Sequence, residues 1–158
     1  MSAIDIEPIG RVSSSRDAPI DDDSDAVTAT ITLDAGRFSP EALRGLDEFS
    51  HLEVVFLFDR VDPASIELGA RHPRANPAWP RVGIFAQRAK DRPNRLGVSV
   101  CRLLGLDGLT LTVQGLDAID ATPVLDLKPY LAEFAPRGEL RQPAWTHELM
   151  RHYFSRVS

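Results

Sequence analysis

The chain has one cysteine and no long apolar run, and each shortage narrows the class of protein. A single thiol, Cys101, excludes an intrachain disulfide and fits a reducing cytoplasm. No apolar stretch approaches the ~18 residues that a membrane-spanning helix requires. The N-terminus, MSAIDIEPIG, lacks the apolar core of a signal peptide. We therefore expect a cytoplasmic protein, and because Cys101 has no neighbouring His or second Cys we assign it to packing.

Several common enzyme motifs are also missing. No Gly-x-Gly-x-x-Gly follows a strand pattern, which disfavours a doubly wound nucleotide-binding fold, and there is no P-loop, serine elbow or His-Glu-x-x-His. His147 and His152 are not four residues apart, so a helical zinc pair is not indicated. The run DDDSD at positions 21–25 lacks the glycine and distal glutamate of an EF-hand. We interpret it as a solvated acidic loop and predict no metal.

Short strand patterns separated by turn signals indicate an all-β fold. Strands are predicted at residues 4–12, 26–33, 52–58, 96–104 and 109–113, with a hairpin turn at Asp107-Gly108. The run at 52–58 is apolar apart from Glu53, so we expect a central strand buried on both faces. Ser39-Pro40-Glu41 is typical of a helix start, and this helix should end near Glu48.

The length of the chain fits a single domain, since domains commonly have roughly 100–200 residues. Residues 1–135 are predicted to form a β-barrel with a short internal helix. Residues 136–158 are predicted to form a linker and an amphipathic helix at 144–157 that packs on the same domain. Its inner side would carry Trp145, Leu149, Tyr153 and Phe154.

The stretch RVGIFAQRAKDRPNRLGVS, residues 81–99, predicts a strand, a cationic loop and a second strand. From Arg71 to Arg102 there are eight Lys or Arg and one acid, a local charge of +7, which leaves 10 − 22 = −12 for the rest of the chain. The net charge of −5 by itself argues against a nucleic-acid partner, but the asymmetric distribution of charge is more informative than the total and favours one. The alternative is a basic loop neutralised by the protein's own acids.

A second stretch, LDAIDATPVLDLKPY at residues 116–130, holds three acids, a lysine and a tyrosine. Alternation in VLDLK would place Val124, Asp126 and Lys128 on one face of a short strand. Two interpretations stay open for Asp126 and Lys128, a plain surface ion pair and a catalytic pair.

These two stretches resemble the two signatures of the TrmO-like (TsaA-like) family, GxFxxRxxxRPNPIGxS and LDxxDGTPVxDIKPY, and the resemblance covers roughly residues 9–130. Members of that family are S-adenosylmethionine-dependent methyltransferases built on a single β-barrel. Characterised members methylate N6 of an already modified adenosine at position 37 of certain tRNAs, and members are commonly homodimers with the donor pocket close to the interface. The resemblance implies S-adenosyl-L-methionine as cofactor, tRNA as partner and a symmetric homodimer.

Methyl transfer to an exocyclic amine suggests roles for the residues of both signatures. A carboxylate or carbonyl that accepts a hydrogen bond from the amine raises its electron density. Asp126 is the first candidate and Asp117 the second; Lys128 would position a phosphate or the donor's carboxylate, and Tyr130 would stack on a base or bond a hydroxyl. The resemblance implies cofactor contacts from Asp59, Arg60, Phe85, Ala86, Gln87, Arg88, Leu116, Asp117 and Ala118. It implies substrate contacts from Arg92, Asn94 and Arg95.

Three departures from the family pattern bear on these roles. Asp59-Arg60 stands where members commonly have His-Gln, Arg95 replaces a proline and Ala121 replaces a glycine. Loop geometry and substrate choice are therefore both expected to differ. Two alternatives stay open: a methyltransferase of the same fold that acts on a small metabolite or another RNA, and a non-catalytic nucleotide-binding module.

Overall fold

A closed, six-stranded antiparallel barrel is the centre of the computed structural model, which describes residues 1–17 and 27–154. The strands of the chain are β1 (Gly10–Ser13), β2 (Thr28–Leu33), β3 (His51–Leu57), β4 (Ala70–Arg71), β5 (Val82–Gly83), β6 (Leu96–Asp107), β7 (Thr110–Gln114) and β8 (Pro123–Pro129). Around the barrel the order is β1-β2-β7-β6-β3-β8, and β4 pairs with β5 in a separate two-stranded sheet. The predicted all-β barrel is confirmed.

The barrel interior is filled by every second residue of its strands, as the two-residue period of a strand requires. Ile31, Val54, Phe56 and Leu111 are at most 1% exposed. Cys101 also points inward and is 2% exposed, so its assignment to packing is confirmed. The prediction that residues 52–58 are buried on both faces is wrong, because a closed single sheet has one inner face and leaves the other to solvent.

A β-bulge in β8 corrects the predicted alternation of the second signature. Opposite β3, Asp126 pairs with Val55 whereas Val124 pairs with Phe56, so one residue is inserted between them. The insertion turns Val124 into the core, where it is fully buried, and Asp126 outward. Val124, Asp126 and Lys128 therefore do not share a face.

Several predicted elements are shorter than the sequence pattern suggested. The first strand starts at Gly10, and the predicted strand at residues 82–85 is β5 followed by a 3-10 turn, Ile84–Ala86. The predicted internal helix is two 3-10 turns, Pro40–Leu43 and Leu46–Glu48, separated by Gly45 with φ 84°. The ends of these strands and helices depend on contacts with distant parts of the chain, so local sequence patterns do not predict them.

The C-terminal helix, α1, covers Ala144–Leu149, and hydrogen-bonded turns continue to Tyr153. Trp145, Leu149 and Tyr153 face the barrel side as predicted, whereas Phe154 is 47% exposed. The acidic run at 21–25, the first residue of the strand predicted at 26–33 and the end of the helix predicted at 144–157 lie outside the described residues.

Gly97 allows β6 to pass close to two aromatic rings. A Cβ at this inward position would lie 2.5 Å from ring atoms of Phe56 and 2.9 Å from Phe58. Phe56 is 1% exposed and packs edge-on against Phe58 at 5.2 Å, so a methyl group added at Gly97 would have to displace both rings.

We expect Gly97→Ala to lower the free energy of unfolding by ~1–3 kcal/mol, because it overpacks the core. Gly105→Ala on the same strand is the matched control, since a Cβ there meets nothing within 4 Å. Urea unfolding of the two variants measures the difference; equal stability would show that the Phe56 and Phe58 rings move freely.

Candidate active site

A cavity of about 830 Å³ lies at the mouth of the barrel, where the end of β3 meets three loops and α1. Its volume is within the usual range for small-molecule sites, about 300–1,000 Å³. The loops are residues 71–75, 86–91 and 117–122, so both signatures contribute to one wall. Predicted cofactor residues on this cavity are Asp59, Arg60, Ala86, Gln87, Arg88, Asp117 and Ala118.

A second cavity of about 380 Å³ meets the first. It opens along the outer face of β6, beside Leu96 and Val98, and is rimmed by Phe85 and Arg92. The residues that line both cavities are Phe56, Phe58, Gln87, Arg88, Asp117 and Tyr153. We call these six residues the shared wall, because a group held in either cavity would lie against them.

Asp117 is the acid of the shared wall, and several contacts fix it. Its backbone N–H donates to the Ser99 hydroxyl at 3.3 Å, and the Tyr153 hydroxyl donates to its Oδ2. Arg88 and Arg16 both place positive charge near the Tyr153 hydroxyl. Burial, and then the Asp117 charge, raise the pKa of Tyr153 well above its ordinary value, so this hydroxyl is a hydrogen-bond donor.

Gln87 fixes the start of the cationic loop. Its amide Nε2 donates to the backbone carbonyls of Arg71 at 3.0 Å and Val82 at 2.9 Å, which joins the loop to β4 and β5. The side chain is 8% exposed, and its Oε1 has no hydrogen-bond partner among the described residues. The backbone of the loop is thereby held against the cavity wall.

Most of the loop's arginines brace the backbone. Arg92 donates to the carbonyl of Gln87 at 2.7 Å, and Arg95 donates to that of Val61 at 3.2 Å. Arg71 pairs with Asp91 at 2.9 Å. Arg88 is exposed, donates one hydrogen bond to the Val98 carbonyl at 3.1 Å, and lines both cavities. Of these four, Arg88 has the position to meet a ligand in either cavity.

Left-handed backbone conformations at Arg95 and Ala121, which lie in different loops, give a physical meaning to two departures from the family pattern. Arg95 has φ 53°, which a proline ring, fixed near about −65°, does not adopt. Ala121 has φ 66°, a conformation in which glycine is unstrained and alanine is not. The loop at Arg95 thus follows a path that proline at this position would not allow.

The remaining predicted ligands fall in different places. Phe85 rims the second cavity and is 77% exposed, whereas Leu116 is 1% exposed in the core. Arg92 lines the second cavity, while Asn94 and Arg95 lie outside the two cavities that the described residues define. Asn94 also has a left-handed backbone, with φ 63°.

Asp126, Lys128 and Tyr130 also lie outside these two cavities, as far as the described residues define them. Lys128 Nζ meets Asp126 Oδ2 at 2.8 Å on the outer face of the barrel, with side chains 60% and 49% exposed. The hydrogen bond to Asp126 and its charge raise the pKa of Lys128. Asp126 and Lys128 thus form a surface ion pair that is separate from the shared wall.

Sequence patterns did not place two contributors at the site. Arg16 is 8% exposed, lines the larger cavity and belongs to a polar stretch that predicts only a loop. Its position depends on long-range contacts: Asp120 N–H donates to its carbonyl at 2.7 Å, and Arg60 donates to the next carbonyl, of Asp17, at 2.9 Å. The second is α1, whose place over the cavity follows from tertiary packing.

The described residues contain neither a metal-ligand cluster nor a membrane-spanning helix. In residues 1–17 and 27–154, no three His, Cys, Asp or Glu side chains come together as a metal site would require. Of the helices in the same part of the chain, none has the length and apolarity to traverse a bilayer.

Known proteins resemble this chain in sequence and in structure. A human tRNA (adenine(37)-N6)-methyltransferase is 36% identical over 106 residues, which are 66% of this chain and 24% of that protein. The Escherichia coli protein of the same name is 39% identical over 95 residues, 58% of this chain and 40% of that protein. A protein of Pseudomonas aeruginosa named putative S-adenosylmethionine-dependent methyltransferase RcsF is 44% identical over 91 residues, 58% of this chain and 39% of that protein.

A crystal structure of TrmO from P. aeruginosa superposes with a TM-score of 0.73 and 31% identity, over 92% of this chain and 62% of that one. The chain spans about a quarter to two fifths of the length of the human, E. coli and P. aeruginosa proteins named above. Residues 11–135, well over half of the chain, match the family described as tRNA-methyltransferase O N-terminal domain. With the barrel and both signatures in place, the chain belongs to that family.

Proposed function

We propose that the protein is an S-adenosyl-L-methionine-dependent methyltransferase that methylates N6 of the modified adenosine at position 37 of tRNA. The names of the relatives support the reaction. The observation that carries the proposal is the pair of cavities that meet at Asp117. Methyl transfer needs a donor and an acceptor held in line at close range, and two adjoining cavities meet this need.

The larger cavity has the chemistry that the methyl donor requires. Phe56, Phe58 and Ile119 offer apolar surface to an adenine ring. Arg88 offers a guanidinium, the group best suited to a carboxylate, and Asp117 offers an acceptor to an ammonium or a ribose hydroxyl. When bound, S-adenosylmethionine supplies a methyl group already activated by a sulfonium, so the protein's main task is positioning.

The smaller cavity suits the acceptor base. Phe85 presents an exposed ring on which a base can stack, an interaction worth ~1–3 kcal/mol. Asp117 faces this cavity as well, so its carboxylate can accept a hydrogen bond from the N6 amine, raise the electron density on nitrogen and take the proton that N6 loses as the methyl group leaves the sulfonium. We assign this role to Asp117 ahead of Asp126, since Asp117 lines both cavities.

A role in the reaction for Asp126, Lys128 and Tyr130 requires a second subunit that brings them to the site. The outer face of β6, next to the smaller cavity, exposes apolar side chains: Leu96, Val98 and Val100 are 39–46% exposed. A symmetric homodimer through this face would cover that apolar surface and bring new residues to the cavity mouth. We propose such a homodimer, and a cytoplasmic location where tRNA is available.

The exposed arginines near the cavities would guide the tRNA to the site. Arg74, Arg81 and Arg88 are exposed, and Arg74 and Arg88 line the larger cavity. Their positive potential at the cavity would attract a polyanion despite the net charge of −5. Arg92 and Arg95, proposed as substrate contacts, act at least in part by shaping the loop that presents Arg88 and Phe85.

Titration calorimetry tests the donor site directly. We expect S-adenosylmethionine to bind and Arg88→Ala to weaken binding roughly 10- to 100-fold, because a hydrogen bond to a charged group is lost. Arg44→Ala is the matched control, since Arg44 pairs with Glu41 on the surface and is absent from both cavity linings. A wild-type protein without binding heat would contradict the donor site.

Mass spectrometry of nucleosides tests the reaction and the role of Asp117 in it. After incubation of the protein with S-adenosylmethionine and bulk tRNA, we expect a new N6-methyl group on adenosine 37. Asp117→Asn should lower kcat by about 10²–10⁴-fold, the range for a group that assists proton transfer. A larger loss in Asp126→Asn than in Asp117→Asn would return the role to Asp126.

Salt separates the proposed substrate from the alternatives. Because tRNA binding releases counterions, its affinity should fall steeply with rising salt, whereas binding of a small neutral metabolite should not. Donor binding without turnover on tRNA would favour the small-molecule reaction, or the binding module if no acceptor is methylated.

Analytical ultracentrifugation tests the homodimer. Val98→Glu should shift the protein to monomer, because it places a charge in the apolar face. Thr32→Glu is the control, since Thr32 is exposed on β2, which β7 separates from β6. A wild-type monomer at micromolar concentration would refute the homodimer and exclude a catalytic role for Asp126.

A further inference from the structure

The segment that covers the larger cavity lies beyond the part of the chain that matches the family. The match ends at residue 135, and we call residues 144–154 the C-terminal segment. Its side chains that line the cavity are Trp145, Thr146, Leu149, Met150 and Tyr153. One side of the cavity is therefore closed by residues outside the matched region.

The C-terminal segment buries few side chains against the barrel. Every residue from Leu131 to Ala144 is exposed, so the connector to the barrel is a strap on the surface. The best-covered residues of α1 are of intermediate exposure. Segments with few buried contacts open at low free energy, and lids are drawn from such segments.

Hydrogen bonds join the segment to the cavity rim at two places. Trp79 Nε1 donates to Glu148 Oε2 at 2.9 Å, which ties α1 to the loop after β4. Farther along, the Tyr153 hydroxyl donates to Asp117 Oδ2, and the Tyr153 ring packs edge-on against Phe154 at 4.8 Å. The second bond connects the segment to the acid of the shared wall.

We propose that the C-terminal segment is a hinged lid over the larger cavity and that Tyr153 is its latch, a positioning residue that fixes the Asp117 carboxylate when the lid is closed. The strap at residues 131–144 would absorb the motion. The catalytic part of this inference rests on the proposed function, since it concerns the acid of that site. The mechanical part, a lid latched by Tyr153, does not.

The electrostatic surroundings agree with a donor role for Tyr153. Burial is the largest cause that raises its pKa, and Asp117 raises it further, while Arg88 and Arg16 act in the opposite direction. The hydroxyl therefore stays protonated over the working pH range and donates to Asp117. It does not serve as the base.

Tryptophan fluorescence tests the latch without a ligand. Both tryptophans, Trp79 and Trp145, lie at the seam between lid and rim, so the whole signal reports on it. We expect Tyr153→Phe to increase acrylamide quenching and shift the emission to the red in the full-length protein. His152→Gln, at the exposed neighbouring position, is the control and should match the wild type.

A double-variant cycle shows whether the latch acts through Asp117. Asp117→Ala should raise quenching as much as Tyr153→Phe, and the combined variant should show no further increase. Unchanged quenching in Tyr153→Phe, or additive effects of the two changes, would overturn the latch.

Kinetics test the positioning role. We expect Tyr153→Phe to lower kcat by about tenfold and to speed dissociation of S-adenosylhomocysteine, the product used as probe, by a similar factor, with an unchanged melting temperature. A loss of kcat that follows a loss of thermal stability would mean that Tyr153 is merely structural. If the wild type fails to bind the probe, the proposed function fails while the fluorescence result still decides the lid.

Discussion

The pairing of β3 with both β6 and β8 is the constraint on which the site depends. β6 begins where the first signature ends, and β8 carries the second. Because β3 separates them by one strand in a closed sheet, the loops before β6 and β8 open at the same end of the barrel. Residues about 30 positions apart, Arg88 and Asp117, thus face the same two cavities. Closure of the sheet also removes the unpaired edges that would otherwise invite aggregation.

Most arginines of the cationic loop and its surroundings hold the backbone in place. Arg92 and Arg95 donate to carbonyls of their own loop and of the turn after β3, and Arg71 neutralises Asp91. Neutralisation by the protein's own acids is thus seen at Arg71, whereas anion binding by Arg88, which lines both cavities, stays a prediction. Pre-ordering of this kind lowers the entropy that a ligand must overcome on binding.

The barrel was predictable because alternation in most strands survives in the structure, as at Thr28–Leu33 and Thr110–Gln114. The bulge in β8 was not predictable. One inserted residue moves all later side chains of the strand to the opposite face, and no local sequence pattern indicates it. We propose Asp117 ahead of Asp126 because Asp117 lines both cavities, a placement that depends on the tertiary structure. Arg16 and the C-terminal segment reached the cavity through contacts remote in sequence, which residue patterns do not encode.

The buried thiol has a practical consequence for the study of motion in this protein. Cys101 is 2% exposed, and burial raises its pKa to about 12, so the nucleophilic thiolate is scarce at neutral pH. A cysteine placed by substitution on the surface would then react with a maleimide or a nitroxide label almost without competition. The natural chain therefore already provides a silent background for distance measurements by spin labelling or energy transfer.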